Sequence, residues 1–440
     1  MTGHRATRLL AAGAVVLSVL AGCSGGGHGS PSGTSGPSAS LSPAQVVQLA
    51  LKDVERYWTA TYPTISGGKP FQPIQGGYHP YTQSSPPPAC GGEEGVYQPN
   101  AFYCPDGDFI AWDAEQLIPQ LQSKFGRLLV VLVFAHEYGH AVQYRLGMTD
   151  QPTVVLEQQA DCYAGAWLGD AKAGHSGSFT GITPAQIDSA LAGLLQLRDQ
   201  PGTSKANEGA HGNAFDRIRA LQDGVENGAT KCAGYNEGNL PITEVPFTEE
   251  RDAESGGNLP YDQAVDTLVK DAEAYWAKAY PQLTGRQWKP LTVRPFDSGS
   301  APACPDPDTI ADGAAFYCPT GDFIAYDDQR LQALYEAFGD NAVGLVIGDL
   351  YARAVQHRRG QSTQGSAGQL AVDCLNGSWT NDLLHRDPRT ETTKLSPGDL
   401  DEAVAALLAF GRGTSGSGAS GFDRIAAYRN GVLNGLSACK

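Results

Sequence analysis

The sequence is short of positive charge. Its 440 residues include 31 lysines and arginines against 47 aspartates and glutamates, and the formal net charge is −16. Nucleic-acid phosphates and anionic lipid headgroups are both held mainly by Lys and Arg side chains. The imbalance therefore argues against a nucleic-acid-binding protein and against an electrostatic hold on an anionic membrane. The hydrophobic content of 41% is that of a globular protein.

The sequence also lacks any Cys-x-x-Cys pair, which disfavours a structural zinc cluster built from thiolates. Its N-terminal apolar run, Leu9–Leu20, follows Arg5 and Arg8. That run is shorter than the roughly 20 residues that a permanent transmembrane helix needs. Residues 1–22 are therefore predicted to be a signal peptide that is removed.

The signal peptide ends in "LAGC", Leu20–Cys23, which resembles the bacterial lipobox. This predicts a lipidated Cys23 and an extracytoplasmic lipoprotein of the bacterial cell membrane, anchored by acyl chains. The alternative is ordinary secretion, with Cys23 as a spare thiol. Residues 23–40 are rich in Gly, Ser and Pro and predict a flexible tether.

The cysteines other than Cys23 number eight, and an even count in an exported chain indicates disulfides. They form two sets of four with matching order and similar spacing. This duplication favours pairing within each set, and the shorter spacing favours the nearer partners. The predicted disulfides are Cys90–Cys104, Cys162–Cys232, Cys304–Cys318 and Cys374–Cys439.

An internal repeat explains the two cysteine sets. The segment "AFYCPDGDFIAWD" from Ala101 matches "AFYCPTGDFIAYD" from Ala315 at all but two positions. A repeat of this length predicts two copies of one domain. The predicted parts are copy 1 (residues 41–235), a linker (236–258) and copy 2 (259–440).

Copy 1 shows helical periodicity with few strands, which predicts an α+β fold. Short and β-prone "DFIAWD", Asp108–Asp113, is predicted to be a strand. The predicted helices are 128–144, which is apolar enough to be buried, 153–168 and 184–197.

A metal-site signature lies in the first of these helices. His136 and His140 are four residues apart, so both imidazoles project from one helical face and predict two ligands of one zinc ion. Glu137 beside them is the predicted general base. The alternative is a pair of half-buried histidines with ordinary hydrogen-bond partners.

The following helix supplies more carboxylates. Glu157 is predicted to be the third zinc ligand, and Asp161, one turn further, is predicted to accept the second N–H of a zinc-bound histidine. The alternative for Glu157 is a solvated helix carboxylate. Gly139 in mid-helix is unfavourable by about 1 kcal/mol relative to alanine, so we expect a close-packed neighbour there; copy 2 has Ala352 at this position.

Copy 2 has lost the signature as a set. His136, Glu137, His140 and Glu157 are replaced by Asp349, Leu350, Arg353 and Gln369. His211, in "HGNAFDR", is replaced by Gly418, so we expect His211 to serve the same site as a hydrogen-bond donor to the developing oxyanion. The alternative is a surface-loop histidine. Asp161 survives as Asp373, which indicates an additional structural role beside Cys162.

Four segments together, "AFYCP", "HEYGHAVQ", "EQQADCYAGAW" and "HGNAFDR", resemble the neutral zinc metallopeptidase family of bacteria, within the gluzincin-like group of the zincin fold. The resemblance covers residues 96–232, with a degenerate second match over 314–439. It implies His136, His140 and Glu157 as zinc ligands and Glu137 as catalytic base, and its HG motif falls on His211.

The sequence therefore predicts an extracytoplasmic, lipid-anchored zinc metallopeptidase that acts on a peptide or protein. In zincins an edge strand aligns the substrate, and "DFIAWD" is a candidate for it or an ordinary core strand. Copy 2 is expected to be a pseudo-peptidase in which Asp349 and Arg353 pair where the metal was, near Gln369. The alternatives are a non-catalytic binding or scaffold lipoprotein and a zinc hydrolase of other bonds.

Overall fold

The structure, a computed structural model, describes residues 41–439 apart from residues 208, 248–249, 311–312, 388–392 and 411–417. The predicted signal peptide, the tether and Cys23 lie outside the described residues. Among those described, no helix combines the length and the apolar character needed to cross a bilayer. The chain divides into two compact units at boundaries after Ile182, Gln222 and Asn239.

The helices of the N-terminal unit (residues up to 182 and 223–239) follow the predicted apolar patterns. The first begins with a capping box, in which Ser42 Oγ accepts the N–H of Gln45 and Gln45 Oε1 accepts that of Ser42. The helices predicted at 128–144 and 153–168 are present and slightly longer. The helices are α1 (Pro43–Ile65), α2 (Leu117–Phe125), α3 (Arg127–Leu146) and α4 (Thr153–Lys172).

A three-stranded sheet lies beside these helices, with β1 (Gly77–Tyr81), β2 (Ala101–Cys104) and β3 (Phe109–Asp113) in the order β1-β3-β2. Strand β3 is the predicted "DFIAWD" strand. It runs parallel to β1 and antiparallel to β2, and all of its residues are buried. Both edges of β3 are therefore paired, as in an ordinary core strand. The expectation that β3 aligns a substrate is wrong. Strand β2 lies at one edge of the sheet.

The C-terminal unit (residues 183–222 and those after 239) is also helical around a small sheet. The helix predicted at 184–197 is α5 (Pro184–Leu194) followed by a 3-10 turn, Leu195–Leu197. Its other helices are α7 (Glu250–Glu254), α8 (Tyr261–Thr284), α9 (Asp328–Phe338), α10 (Asp340–Arg358), α11 (Gly365–Leu384), α12 (Asp399–Phe410) and α13 (Gly421–Asn434); α6 (Ala214–Ala233) contains the boundary after Gln222.

The sheet of the C-terminal unit has the order β4-β7-β6-β5, with β4 (Thr292–Phe296), β5 (Asp308–Ile310), β6 (Ala315–Cys318) and β7 (Phe323–Asp327). Three of its strands have the register of the first sheet, because Tyr317 faces Ile324 as Tyr103 faces Ile110. The fourth strand, β5, pairs antiparallel with the outer edge of β6. The mixture of helices and sheets is the predicted α+β class.

The disulfides are the four predicted pairs, Cys90–Cys104, Cys162–Cys232, Cys304–Cys318 and Cys374–Cys439. In each unit the shorter link ties a loop to the end of a strand, and the longer link ties two helical segments. Their Cα–Cα separations of 5.5 and 5.8 Å lie in the usual range for a disulfide.

The compact units differ from the predicted repeat in one respect. Residues 183–222 belong to copy 1 by sequence, yet they pack with copy 2 in the C-terminal unit. Asp188 on α5 explains part of this, because its carboxylate accepts the backbone N–H groups of Gly421 and Phe422. The repeat boundaries at 235 and 259 thus remain a prediction from sequence, distinct from the packing units.

Candidate metal centre

Three side chains from two helices of the N-terminal unit converge on one point. His136 and His140 lie one turn apart on α3, with their Nε2 atoms 3.1 Å from each other. Glu157 on α4 places Oε2 3.1 Å from His136 Nε2 and Oε1 3.5 Å from His140 Nε2. These are the three ligands predicted from the sequence, brought together by the packing of α3 against α4.

The spacing of the three donors fits a tetrahedral zinc ion. Zn–N and Zn–O bonds are about 2.0–2.2 Å long, so two donors on one tetrahedral ion should be roughly 3.4 Å apart. The two imidazole nitrogens are 3.1 Å apart, and they lie 3.1 and 3.5 Å from different oxygens of the Glu157 carboxylate. One ligand atom from each of the three residues lies within 4.8 Å of the others. Two imidazole nitrogens and one carboxylate are also the donor set of many catalytic zinc sites, in which a fourth position stays open for water.

The far side of each imidazole has a partner that fixes its orientation. His136 Nδ1 lies 2.8 Å from Asp161 Oδ1, as predicted for the second carboxylate. His140 Nδ1 lies 2.9 Å from Gln143 Oε1, while Gln143 Nε2 donates to the Leu156 carbonyl. The sequence reasoning missed Gln143, although its position three residues after His140 on the same helix was a usable signal.

Close packing of the two helices explains the mid-helix glycine. A Cβ added at Gly139 would lie 2.9 Å from the Ala160 Cα and 3.2 Å from its carbonyl oxygen. Glycine therefore lets α3 approach the segment of α4 that carries Glu157 and Asp161. The expected close-packed neighbour is the backbone of Ala160.

Glu137, the predicted base, is buried on α3 and reaches the edge strand. Its Oε2 accepts the backbone N–H of Tyr103 in β2 at 2.9 Å. Burial raises the pKa of Glu137, while His136 and His140 oppose that shift. The carboxylate thus stands between the edge of the sheet and the convergent donors.

The charge at the site favours a cation. Burial alone would lower the pKa of His136, but the adjacent carboxylates of Asp161 and Glu157 raise it to about 10. Burial likewise lowers the pKa of His140, and Glu157 makes the net shift upward. The nearby carboxylates therefore stabilise positive charge at the two buried imidazoles, and the same carboxylates would stabilise a bound cation.

His211, the remaining predicted site residue, belongs to the C-terminal unit. It lies in the loop that precedes α6, where Asp199 Oδ2 accepts the N–H groups of His211 and Gly212 at 2.8 Å each. Asp199 Oδ1 is 3.4 Å from His211 Nδ1. The side chain is therefore oriented by a neighbouring carboxylate and is not a loosely held surface histidine.

The C-terminal unit has a salt-bridge cluster at the positions that the sequence aligns with the predicted metal donors. Arg353 places Nε 2.5 Å from Asp349 Oδ1 and Nη2 3.0 Å from Gln369 Oε1. This confirms the predicted pairing of Asp349 with Arg353. The sequence reasoning missed a further partner, Asp308 on β5, whose Oδ1 lies 2.6 Å from Arg353 Nη1.

The retained aspartate of copy 2 has an arginine partner. Asp373, at the position of Asp161, accepts Nε and Nη2 of Arg424 at 3.0 and 2.9 Å. A buried carboxylate that pairs with a buried guanidinium cannot be lost without leaving the guanidinium uncompensated. This gives the physical reason why the aspartate is present in a segment without metal donors.

The comparison with protein families agrees with this geometry. Residues 28–235 match the family described as "Putative neutral zinc metallopeptidase". Residues 28–235 are therefore similar to that family. The matched residues include His136, His140 and Glu157. The zinc named in the family's description therefore agrees with the set of ligand atoms that this structure brings together.

Proteins similar to this chain include one of Mycobacterium tuberculosis strain H37Rv and one of Mycobacterium bovis, both described as uncharacterised. Each is 32% identical over 152 residues, which cover 29% of this chain and 52% of the relative. The chain thus spans about half the length of the curated relatives that it matches. No solved structure matches the chain.

Proposed function

We propose that this protein is an extracytoplasmic zinc-dependent peptidase whose site is formed by His136, His140 and Glu157, with Glu137 as general base. The convergence of three zinc-type ligand atoms within 4.8 Å of one another, beside a buried carboxylate, supports this most directly. Bound zinc would supply a Lewis acid that lowers the pKa of water and polarises a carbonyl group.

The residues of the chain would carry out the proton transfers. Glu137 takes a proton from the attacking water as the new C–O bond forms, and it returns that proton to the amide nitrogen as the C–N bond breaks. The products are a carboxylate and an amine. Asp161 and Gln143 hold the two imidazoles so that Nε2 of each faces the site.

The substrate is proposed to be an extended peptide that adds to the outer edge of β2. The C-terminal unit supports this arrangement, because β5 pairs antiparallel with the corresponding edge of β6 and Asp308 faces Tyr317 there. Tyr103 in β2 aligns with Tyr317 and donates its N–H to Glu137. A peptide on β2 would therefore lie next to the base.

His211 is proposed to stabilise the developing negative charge on the carbonyl oxygen. Two observations support the proposal: an imidazole oriented by Asp199, and its replacement by Gly418 in the segment that has no metal donors. A donor fixed before the reaction contributes more than one that must reorganise.

Copy 2 is proposed to be a duplicated, pseudo-peptidase domain. The matching strand registers of the two sheets support the duplication. Arg353, with Asp349, Asp308 and Gln369 around it, would occupy the position where copy 1 holds its cation. A guanidinium held by these side chains cannot coordinate a water molecule as a zinc ion does, so copy 2 would not activate water.

The location is proposed from the N-terminal residues and the disulfides. The "LAGC" segment would place acyl chains on Cys23, and four disulfides suit an oxidising, extracytoplasmic compartment. The partners are then a peptide or protein substrate and the membrane, with no nucleic acid. The tether would allow the domains to reach substrates near the cell surface.

The test is hydrolysis of a peptide library by the zinc-loaded protein and by Glu137→Gln. The variant should retain zinc and lose activity by about 100-fold or more, since a positioned acid–base group typically contributes that much. Equal activity of the two proteins would contradict the assignment of the base. A zinc-loaded parent that cleaves no peptide would favour the non-catalytic binding lipoprotein.

A further inference from the structure

A buried carboxylate of copy 2 reaches the loop that carries His211. Asp401 on α12 is only 4% exposed. Its Oδ1 accepts the backbone N–H of Phe215 at 3.0 Å, in the first turn of α6. Its Oδ2 lies 2.9 Å from Nε of Arg198, at the other end of the loop. One side chain of copy 2 thus holds both ends of a copy 1 loop.

The same loop fixes the imidazole. Asp199 follows Arg198 directly, and its Oδ2 accepts the N–H groups of His211 and Gly212. Asp199 N also donates to the Gly212 carbonyl at 3.2 Å. Any shift of Arg198 would therefore move the carboxylate that orients His211. Asp401 is thus paired with the residue that directly precedes Asp199, and Asp199 contacts the histidine.

The equivalent residue of copy 1 makes a corresponding contact to copy 2. Asp188 in "TPAQID" aligns with Asp401 in "SPGDLD", and its carboxylate accepts the N–H groups of Gly421 and Phe422 at 2.9 Å each. Gly421 must be small there, because an added Cβ would lie 2.9 Å from the Asp188 Cγ. Each copy therefore caps a helix of the other, but Gly418 stands where copy 1 has its histidine.

We propose that Asp401, a residue of the degenerate copy, is a positioning residue of the peptidase that holds the His211 loop in its working geometry. The proposal rests on the proposed function, in which His211 serves the developing oxyanion. Copy 2 then contributes the residue that holds this loop, although it has no metal donors. This role would explain why copy 2 is retained even if it neither binds substrate nor has an activity of its own.

The experiment compares Asp401→Asn with Asp188→Asn in the full chain. Both substitutions remove one buried charge and preserve volume, and both alter a cap between the copies, but only the first faces Arg198. The measurements are zinc content, melting temperature, kcat and KM on a cleaved peptide, and hydrogen exchange of residues 199–213. His211→Ala and His211→Ala/Asp401→Asn complete a double-mutant cycle.

We expect Asp401→Asn to keep its zinc and its KM, to lose about 10- to 100-fold in kcat, and to show faster exchange in residues 199–213. Asp188→Asn should show a comparable fall in melting temperature with kcat unchanged. Adding Asp401→Asn to His211→Ala should reduce kcat no further. An equal loss of kcat in the two single variants, or additive losses in the cycle, would overturn the proposal.

The exchange measurement separates this proposal from the proposed activity. If the parent cleaves no peptide, the peptidase assignment fails, and exchange in residues 199–213 still decides whether Asp401 positions the loop. Faster exchange in Asp401→Asn alone supports positioning. The same exchange in both variants overturns it.

Discussion

The imidazole of His136 lies between two carboxylates, with Nδ1 2.8 Å from Asp161 and Nε2 3.1 Å from Glu157. Such an arrangement fixes the tautomer of the ring and directs its second nitrogen to the point where His140 Nε2 also lies. Orientation of a histidine by a carboxylate behind it typically strengthens metal binding. Asp161 on α4 therefore fixes the ring orientation of His136 on α3, one of the proposed zinc ligands.

Asp161→Asn should weaken zinc binding by about 10- to 100-fold, the usual effect of losing such a partner. The fold should persist, because the amide keeps the volume and one acceptor. Competition with a fluorescent chelator measures the affinity. Asp170→Asn is the control on the same helix, where the carboxylate pairs with Arg56 away from the three donors. Equal loss in both variants would contradict the role of Asp161.

Gly139→Ala should destabilise the protein although alanine is the better helix former. The added Cβ would meet the Ala160 Cα at 2.9 Å, and overpacking of this kind costs about 1–3 kcal/mol. Urea unfolding gives the free-energy change. The reciprocal variant Ala352→Gly should lose only about 1 kcal/mol, from helix propensity. A stabilised Gly139→Ala protein would show that α3 and α4 have room to separate.

Arg353→Met should strongly destabilise the C-terminal unit. The guanidinium is nearly fully buried and pairs with Asp349 and Asp308. Its removal leaves Asp308 without this cation and leaves Asp349 with only the 3.8 Å contact to Arg424. Breaking a buried pair in this way typically costs about 3–5 kcal/mol. Lys270→Met, which removes an exposed partner of Asp266, should change stability by less than about 1 kcal/mol. Comparable changes in the two variants would contradict the tight packing of the cluster.

A buried acidic group in the C-terminal unit predicts a pH dependence. Burial and the neighbouring carboxylates of Asp399 and Asp340 raise the pKa of Glu402 to about 10. The folded protein therefore holds this proton to higher pH than the unfolded chain does. The stabilisation is complete below the ordinary glutamate pKa of about 4.3 and is lost as the pH rises toward the folded value.

Glu402→Gln should accordingly raise the melting temperature at pH 8 more than at pH 4, because the amide never ionises. Differential scanning fluorimetry across this range measures the difference. Glu336→Gln, on an exposed position of α9, removes the same charge without burial and should show little pH-dependent gain. A parallel change in the two variants would contradict the stated cause of the shift.

The local features were readable from the sequence. The spacing of His136 and His140 placed them on one helical face, Gly139 indicated a close neighbour, and the duplicated cysteine spacing predicted the disulfide pairs. Each of these follows from helix geometry or from comparing the two copies. The structure added the distances that make the three donors fit one ion.

The features that the sequence did not predict depend on contacts between distant segments. Strand β1 lies in a Pro- and Gly-rich stretch, and only its parallel pairing with β3 makes it a strand. Asp308 reaches Arg353 from a strand that has no counterpart among the paired strands of the first sheet. The reciprocal caps of Asp188 and Asp401 join residues more than 180 positions apart, beyond any periodic pattern.

The most direct test of the account is the zinc content of the purified protein beside a His140→Ala variant, measured by mass spectrometry of the metal with folding checked by circular dichroism. We expect one tightly bound zinc per parent chain and its loss in the folded variant. A folded parent that binds no zinc, or a variant that retains it, would contradict the assignment of His136, His140 and Glu157 as the metal site.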